Sequence, residues 1–304
     1  MKTSLFRITL WSLAAAFFVI ATVNAQKEPP KIGTASKPVI FVVLNDGKWI
    51  EPIGLVDDDE LKVVSDDEAE AKVFGNRYYK PKVSYPLIFG GALDGSVTVV
   101  KSNIGTECGG ASADVTLKAA KAKPLGLVMA LASDLKLKPD TTSYRRRPTP
   151  AEKAAVEKLV RAEFTKNGAT AAALKALRFF NLTALDFESD DMADFVGSYW
   201  IAPTAKERRL LFFIAEQKGS DGIKIVHSEH SIVTPDDMMS GDLKDLEGGR
   251  GAELLVDVLD YDGDGVREIF TIGQAFEGNN YYAYKRTNGK WTKVFETYNY
   301  RCAF

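Results

Sequence analysis

An acidic loop near the carboxyl end of the chain has residue types and a spacing suited to binding a metal ion. It reads DYDGDGVRE, with Asp260, Asp262 and Asp264 at loop positions one, three and five and Glu268 at position nine. The two glycines among them permit the sharp turn that brings alternate side chains onto one centre. Because carboxylates this close repel one another, we expect a cation between them.

The predicted ligands are all hard oxygen donors. They are the carboxylates of Asp260, Asp262 and Asp264, the backbone carbonyl of Val266, and Glu268 acting directly or through water. Such a set suits Ca²⁺, which takes six to eight oxygen ligands, better than the stricter octahedral Mg²⁺. The loop contains no histidine or cysteine, which disfavours zinc and copper. The alternative is a solvated Asp-Gly turn without a metal.

The flanks of the loop distinguish it from an EF-hand, which needs a helix on each side and a glutamate at position twelve. Here position twelve is Thr271, and both flanks, LLVDVLD and EIFTIG, have the composition of strands. Residues 256–271 resemble the calcium-binding β-hairpin loop of FG-GAP and VCBS-type repeats, the family that includes integrin α-subunit propeller blades. The shared motif is an apolar strand, Asp-x-Asp/Asn-Gly-Asp-Gly-x-x-Asp/Glu, and a second apolar strand.

The resemblance implies a structural ion that stiffens a hairpin and takes no part in chemistry. It covers about one blade of chain, and the acidic loop has no second copy in the sequence. A closed propeller needs at least four blades. We therefore expect a calcium hairpin on an antiparallel domain rather than a propeller.

Strand and turn signals along the chain predict an α+β fold, mainly antiparallel β-sheet with one or two helices in the middle. The runs VIFVVL and KWIEPIGLV flank an Asp-Gly turn, which indicates a hairpin. Thr149, Pro150 and Glu152 form the N-cap, first position and capping-box partner of a helix, and a second short helix is expected over 171–177. Four strand-like segments between 253 and 300 predict a blade-like four-stranded sheet at the C-terminus.

The first residues are expected to be a cleaved signal peptide. Lys2 and Arg7 precede an apolar run over 10–23 that is short for a bilayer span, and residues 23–25 offer a small-residue cleavage site. The alternative is an uncleaved anchor. Cleavage implies an exported protein, periplasmic or extracellular, with no membrane span afterwards. The predicted segments are a signal peptide at 1–25, a flexible lead at 26–37, an N-terminal β-rich domain at 38–140, a linker at 141–148 and a C-terminal α+β domain at 149–304.

Charge and cysteine content constrain partners and cross-links. The chain has 39 basic and 41 acidic side chains, a near-balance that argues against nucleic-acid binding. In an oxidising compartment, Cys108 and Cys302 can pair as a disulfide; two separate thiols are the alternative. The basic segment at 144–148 fits an exposed linker. Its three arginines are either solvated or a phosphate- or partner-binding patch.

Catalytic signatures are weak. If 223–233 is a strand, His227 and Glu229 lie on one side and His230 on the other, which separates the two histidines as zinc ligands. The sequence has no HExxH, G-x-S-x-G, S-x-x-K or P-loop pattern. Four neighbouring carboxylates are candidates for a glycosidase pair, with a merely solvated loop as the alternative: Asp186, Glu188, Asp190 and Asp191. Seven aromatic residues of the last hairpin either stack on sugars or a partner or pack across strands: Tyr281, Tyr282, Tyr284, Trp291, Phe295, Tyr298 and Tyr300.

The sequence therefore predicts an exported calcium-binding protein that acts as a binding or interaction module for an unknown protein or glycan partner. The alternative is a secreted hydrolase with a structural calcium, for which carbohydrate is the substrate class considered. A third hypothesis, an envelope assembly or adhesion component, rests only on analogy with the FG-GAP family.

Overall fold

Antiparallel sheets dominate the part of the chain that the structure describes. The structure is a computed structural model, and it describes residues 37–106, 110–122, 129–137, 143–219 and 222–301. The predicted signal peptide, all but the last residue of the lead, Cys108 and Cys302 lie outside these ranges. Among the described helices, none has the length and apolar character needed to cross a bilayer.

The first sheet closes on itself as a barrel. Its strands are β1 (Val39–Leu44), β2 (Trp49–Asp57), β3 (Glu60–Lys62), β4 (Ser84–Phe89), β5 (Ala92–Ser102), β6 (Ala113–Ala119) and β7 (Ala130–Ser133). Their order is β1-β7-β4-β5-β6-β2-β3, and β1 also pairs with β2. Six strands therefore form a closed ring, with β3 attached to β2, and closure removes the free edges of the ring.

A helix packs on this barrel that the sequence pattern did not predict. Helix α1 (Glu68–Tyr78) begins at Asp67, whose carboxylate accepts the N–H groups of the second and third helical residues. Phe74 of α1 contacts Phe41 of β1 edge-on, with ring centroids 6.4 Å apart. The helix buries only part of one face, so its polar surface gives little helical periodicity and resembles a solvated acidic segment.

The second sheet carries the predicted middle helices. Its strands are β8 (Arg178–Leu185), β9 (Asp194–Thr204), β10 (Glu207–Gln217) and β11 (Ile223–Val233), in the order β11-β10-β9-β8. Helix α2 (Pro150–Lys166) starts with the predicted capping box of Thr149 and Glu152. Helix α3 (Ala171–Leu174) is shorter than expected. Both helices contribute to one apolar cluster with the second sheet, into which α2 places Val156, Val160 and Phe164.

The predicted four-stranded C-terminal sheet is confirmed. After helix α4 (Lys244–Glu247) it consists of β12 (Glu253–Leu259), β13 (Glu268–Gln274), β14 (Gly278–Thr287) and β15 (Lys290–Tyr300) as an antiparallel meander. Both of its faces are buried. Phe270 and Tyr281 pack with the barrel, whereas Ile269 and Tyr284 pack with the second sheet. This sheet is therefore the middle layer of the fold.

The basic segment at 144–148 is not simply exposed. The Arg145 side chain is 10% exposed, and its Nη1 lies 3.1 Å from Oδ2 of the fully buried Asp257. The same nitrogen donates hydrogen bonds to the carbonyls of Met129 and Val256, at 2.9 and 2.7 Å. Arg146 forms a two-pronged pair with Glu152, both contacts 2.8 Å long. The expectation of solvated arginines is wrong for Arg145, because its side chain forms a buried ion pair with Asp257, 112 positions later in the chain.

We predict that Asp257→Asn destabilises the protein by about 3–5 kcal/mol, because it leaves the Arg145 charge buried without its partner. Urea unfolding at neutral pH measures the change. Glu68→Gln, which breaks the fully exposed pair of Glu68 with Lys72, is the matched control and should leave the midpoint unchanged. Equal midpoints for Asp257→Asn and the unmodified protein would contradict the prediction.

Candidate metal centre

The acidic loop connects two paired strands. β12 and β13 are antiparallel, and Leu259 lies opposite Glu268 at the closed end of the hairpin. Both flanks are strands, as the sequence predicts, so the loop is not an EF-hand. Gly263 and Gly265 have φ angles of +79° and +93°, a region that residues with a side chain rarely adopt. Any substitution at either glycine would strain the turn.

Three of the predicted ligands converge. Oxygen atoms of Asp260, Asp262 and Glu268 lie within 4.8 Å of one another. Glu268 is 1% exposed, and its Oε2 accepts the Tyr261 N–H at 3.1 Å. Its Oε1 is buried and has no hydrogen-bond partner. A buried carboxylate oxygen without a partner is unusual and calls for an ion or a water molecule.

The other two predicted ligands hold the loop in shape. Asp264 lies outside the three-carboxylate cluster, and its Oδ1 accepts the Val266 N–H at 2.8 Å. The side chain of Val266 packs into the core between the second and third sheets. Asp260 accepts the N–H groups of both loop glycines, at 2.7 and 3.1 Å. The aspartate carboxylates thus stabilise the loop by accepting hydrogen bonds from its own backbone.

Lys285 of β14 lies beside this cluster. Its ammonium forms an ion pair with Asp262 and is 3.4 Å from Oδ2 of Asp264. The Asp262 side chain is only 4% exposed, so this pair is largely shielded from water. One lysine balances only part of the negative charge of the three aspartates. The loop retains an excess of negative charge.

The charge of Glu268 is unfavourable in its buried position. The pKa of Glu268 is raised to about 8, chiefly by burial; the Tyr261 N–H opposes the shift, and the charges of Asp264 and Asp260 add to it. A divalent cation would reverse this balance, because a bound cation is usually the largest local charge and favours the ionised carboxylate.

The loop also lies where the three sheets meet. Arg267 is buried, and its backbone N–H donates to the Phe187 carbonyl at 2.9 Å while its side chain donates to the Asp186 carbonyl. On the other side the same side chain packs against Gly91 of the β4–β5 turn, where a Cβ atom would come within 2.5 Å of it. The conformation of the loop therefore affects contacts to both neighbouring sheets.

The histidines lie on opposite faces of β11, as the alternation of a strand predicts. His227 Nε2 is 3.3 Å from Oε1 of Glu229, on the face towards the C-terminal sheet. His230 faces α2, where its Nε2 is 2.9 Å from Asn167 Nδ2 and 3.7 Å from Glu163. They do not share a metal site.

The carboxylates considered for a glycosidase pair stabilise a turn. Asp186 is 5% exposed and accepts three backbone N–H groups, from Glu188, Asp190 and Asp191, at 3.1–3.2 Å. Glu188 also pairs with Arg286. Of the seven aromatic residues of the last hairpin, four are buried in the core: Tyr281, Tyr284, Trp291 and Phe295.

A second polar cluster was not predicted. Glu229 on β11 and Glu253 on β12 both approach Lys293 on β15, with Tyr282 and Tyr284 of β14 beside them. These residues come from four strands in two sheets. The only sequence signal was the pairing of His227 with Glu229 on one strand face, because the other members depend on how the sheets stack.

Searches against protein-family models, curated proteins and solved structures found no match to this chain. The functional argument therefore depends on the geometry of the loop and of the second cluster.

We predict that Glu268→Gln flattens the pH dependence of stability in a calcium-free, chelator-containing buffer. The folded-state pKa of about 8 lies above the unfolded value of 4.5, so the folded protein binds more protons between these two values. Unfolding free energy should therefore fall as pH rises from about 5 to 8. In Glu268→Gln the group cannot titrate, so its contribution to the pH dependence of the unfolding free energy is absent.

Urea midpoints of both proteins, measured across that pH range, test the prediction. Asp194, whose pKa burial raises to about 7, acts in the same direction but is present in both proteins and cancels in the difference. A difference between the two proteins that does not change with pH would contradict the prediction.

Proposed function

We propose that the chain is an exported binding module in which the loop at 260–268 holds one structural Ca²⁺. The observation that carries the proposal is the unpartnered, buried Oε1 of Glu268 beside the carboxylates of Asp260 and Asp262. Such an oxygen is costly without a partner, and a hard cation supplies one.

The remaining ligands come from the same loop. Asp264 reaches the ion directly or through water after Lys285 moves away, and the Val266 carbonyl adds an uncharged oxygen. This gives an all-oxygen set of mixed charge, which favours Ca²⁺ over Mg²⁺ because the turn is irregular and its ligands differ in reach. The resemblance to the FG-GAP and VCBS-type hairpin agrees with this ligand set.

The ion acts on structure rather than on a reaction. Calcium bound only by oxygen ligands is a weak Lewis acid compared with zinc. Of the carboxylates in the turn at 186–191, that of Asp186 accepts backbone N–H groups and that of Glu188 pairs with Arg286. Export follows from the predicted signal peptide, and an oxidising destination allows the predicted Cys108–Cys302 disulfide.

We predict that Ca²⁺ raises the melting temperature and that Asp262→Asn abolishes the shift. An ion that binds only the folded state adds about 2.7 kcal/mol at a concentration 100 times its Kd. Differential scanning fluorimetry in calcium and in EGTA measures the shift, with Mg²⁺ as a second ion. Asp236→Asn, which alters an exposed aspartate outside the loop, should retain the full calcium effect.

An identical melting temperature in calcium and in EGTA would contradict the proposed calcium site. So would a calcium shift that survives Asp262→Asn, because the ion would then bind elsewhere.

A variant with the opposite effect tests the same site. Lys285→Met removes a positive charge that pairs with Asp262, so it should strengthen calcium binding. Because the Lys285 side chain is 25% exposed, we take the pair to be worth on the order of 1 kcal/mol, which corresponds to a gain of about fivefold in affinity. Isothermal titration with calcium measures it. Weaker calcium binding in Lys285→Met would be inconsistent with an ion among these carboxylates.

A further inference from the structure

A cleft of about 460 Å³ opens between the second and third sheets. It is lined by all four strands of the second sheet, β8–β11, by β12–β15, and by segments around Met238 and Phe276. Its volume lies within the range of about 300–1,000 Å³ typical of small-molecule sites. Glu253, which pairs with Gly273 at the open end of the β12–β13 hairpin, borders the cleft, whereas the acidic loop is at the closed end.

The unpredicted polar cluster forms one wall of this cleft. Lys293 Nζ is 3.1 Å from Glu229 Oε2 and 3.9 Å from Glu253 Oε2. Tyr284 donates its hydroxyl hydrogen to Glu229 Oε1 at 3.0 Å. The side chains of Glu229 and Lys293 are 38% and 27% exposed, so both are accessible from the cleft. Donors and acceptors therefore lie side by side on its wall.

Aromatic rings lie next to these polar groups. Tyr282 has the Lys293 ammonium 4.1 Å from its ring centroid and is half-buried at the cleft. Phe276 carries the Arg250 guanidinium at 4.7 Å, and Tyr298 is 46% exposed. Flat apolar faces beside mixed donors and acceptors suit a sugar ring, whose C–H face stacks and whose hydroxyls both donate and accept.

The charged residues that line the cleft favour neutral saccharides over anionic ones. Four carboxyl groups border the cleft, those of Glu229, Asp237, Glu253 and Glu277, against the two cations of Arg250 and Lys293. Burial raises the pKa of Glu253, so the negative charge comes mainly from the other three. His227, Lys293 and Tyr284 hold the pKa of Glu229 down to about 2, so its carboxylate remains an ionised acceptor. Anionic ligands would meet like charge here, whereas neutral ones would not.

We infer that this cleft binds a neutral oligosaccharide, with Glu229, Lys293 and Asn280 as hydrogen-bonding groups and Tyr282 as the stacking platform once the Lys293 ammonium shifts from its ring face to the sugar hydroxyls. The inference deepens the proposed role as a binding module and is independent of the calcium site, because none of these residues is a predicted ion ligand. It does not require catalysis. Lys293 Nζ lies 3.1 Å from Glu229 Oε2 and 3.9 Å from Glu253 Oε2, so both carboxylates are engaged with the same ammonium.

The test is a panel of defined oligosaccharides measured by saturation-transfer NMR and isothermal titration with the purified protein. The neutral probes are cello-, malto-, xylo-, manno- and chitohexaose, and oligogalacturonate is the anionic probe. We expect at least one neutral probe to bind with a Kd below about 1 mM and the anionic probe not to bind. Tyr282→Ala should weaken binding about tenfold, and Tyr282→Phe should restore it.

Two further variants keep the result interpretable. Tyr300→Ala makes the same change at an exposed tyrosine on β15 outside the cleft lining, and it should bind like the unmodified protein. Asn280→Ala removes a cleft-lining amide on β14 and should weaken binding several-fold even if Tyr282→Ala fails to fold.

Three results would overturn the inference. These are no binding of any neutral probe, preferential binding of oligogalacturonate, or binding unchanged in both Tyr282→Ala and Asn280→Ala. Repeating the titration in EGTA distinguishes the two proposals. If a saccharide binds but calcium does not change the melting temperature, only the calcium proposal is contradicted. If calcium raises the melting temperature but no saccharide binds, only the cleft proposal is contradicted.

Discussion

The fold depends on one buried carboxylate. Asp257 has no exposed surface, and its two oxygens both lie 2.9 Å from the Gly90 backbone nitrogen, with Arg145 3.1 Å from one of them. Burial raises the pKa of Asp257, while Arg145 and the backbone N–H groups oppose that shift. A buried ion without such partners would be prohibitively unfavourable. The barrel turn, the segment before α2 and strand β12 meet at this point, and separating any of them would leave a buried charge or N–H group without its partner.

A second buried carboxylate secures the barrel to the C-terminal sheet at another position. Glu51 of β2 is fully buried and accepts hydrogen bonds from Trp49 Nε1 at 2.8 Å, from Asn279 Nδ2 at 3.3 Å and from the Tyr281 hydroxyl, and it pairs with Arg301. Two separate anchors fix both position and rotation of one sheet on the other. Asp257 also lies three residues before the acidic loop, so the first anchor sets where the loop emerges.

Local chemistry made part of this architecture predictable. The capping box at Thr149 and the four final strands each depend on residues close in sequence, and both are present. The loop between β12 and β13 was found for the same reason. Closure of the barrel was not predictable, because β1 meets β7 some 90 residues later and no short pattern encodes that pairing. Helix α1 was missed because most of its surface is polar.

The same distinction explains which of the two candidate sites the sequence revealed. The acidic loop gathers its groups within nine residues, whereas the cleft unites Glu229, Glu253 and Lys293 only when two sheets stack. Yet the β12–β13 hairpin contributes residues to both candidate sites. Its strands carry the proposed ion ligands at one end and Glu253 at the other, roughly 20 Å away at about 3.3 Å per residue. An ion at that distance touches nothing in the cleft, so its effect there is limited to keeping β12 and β13 in register.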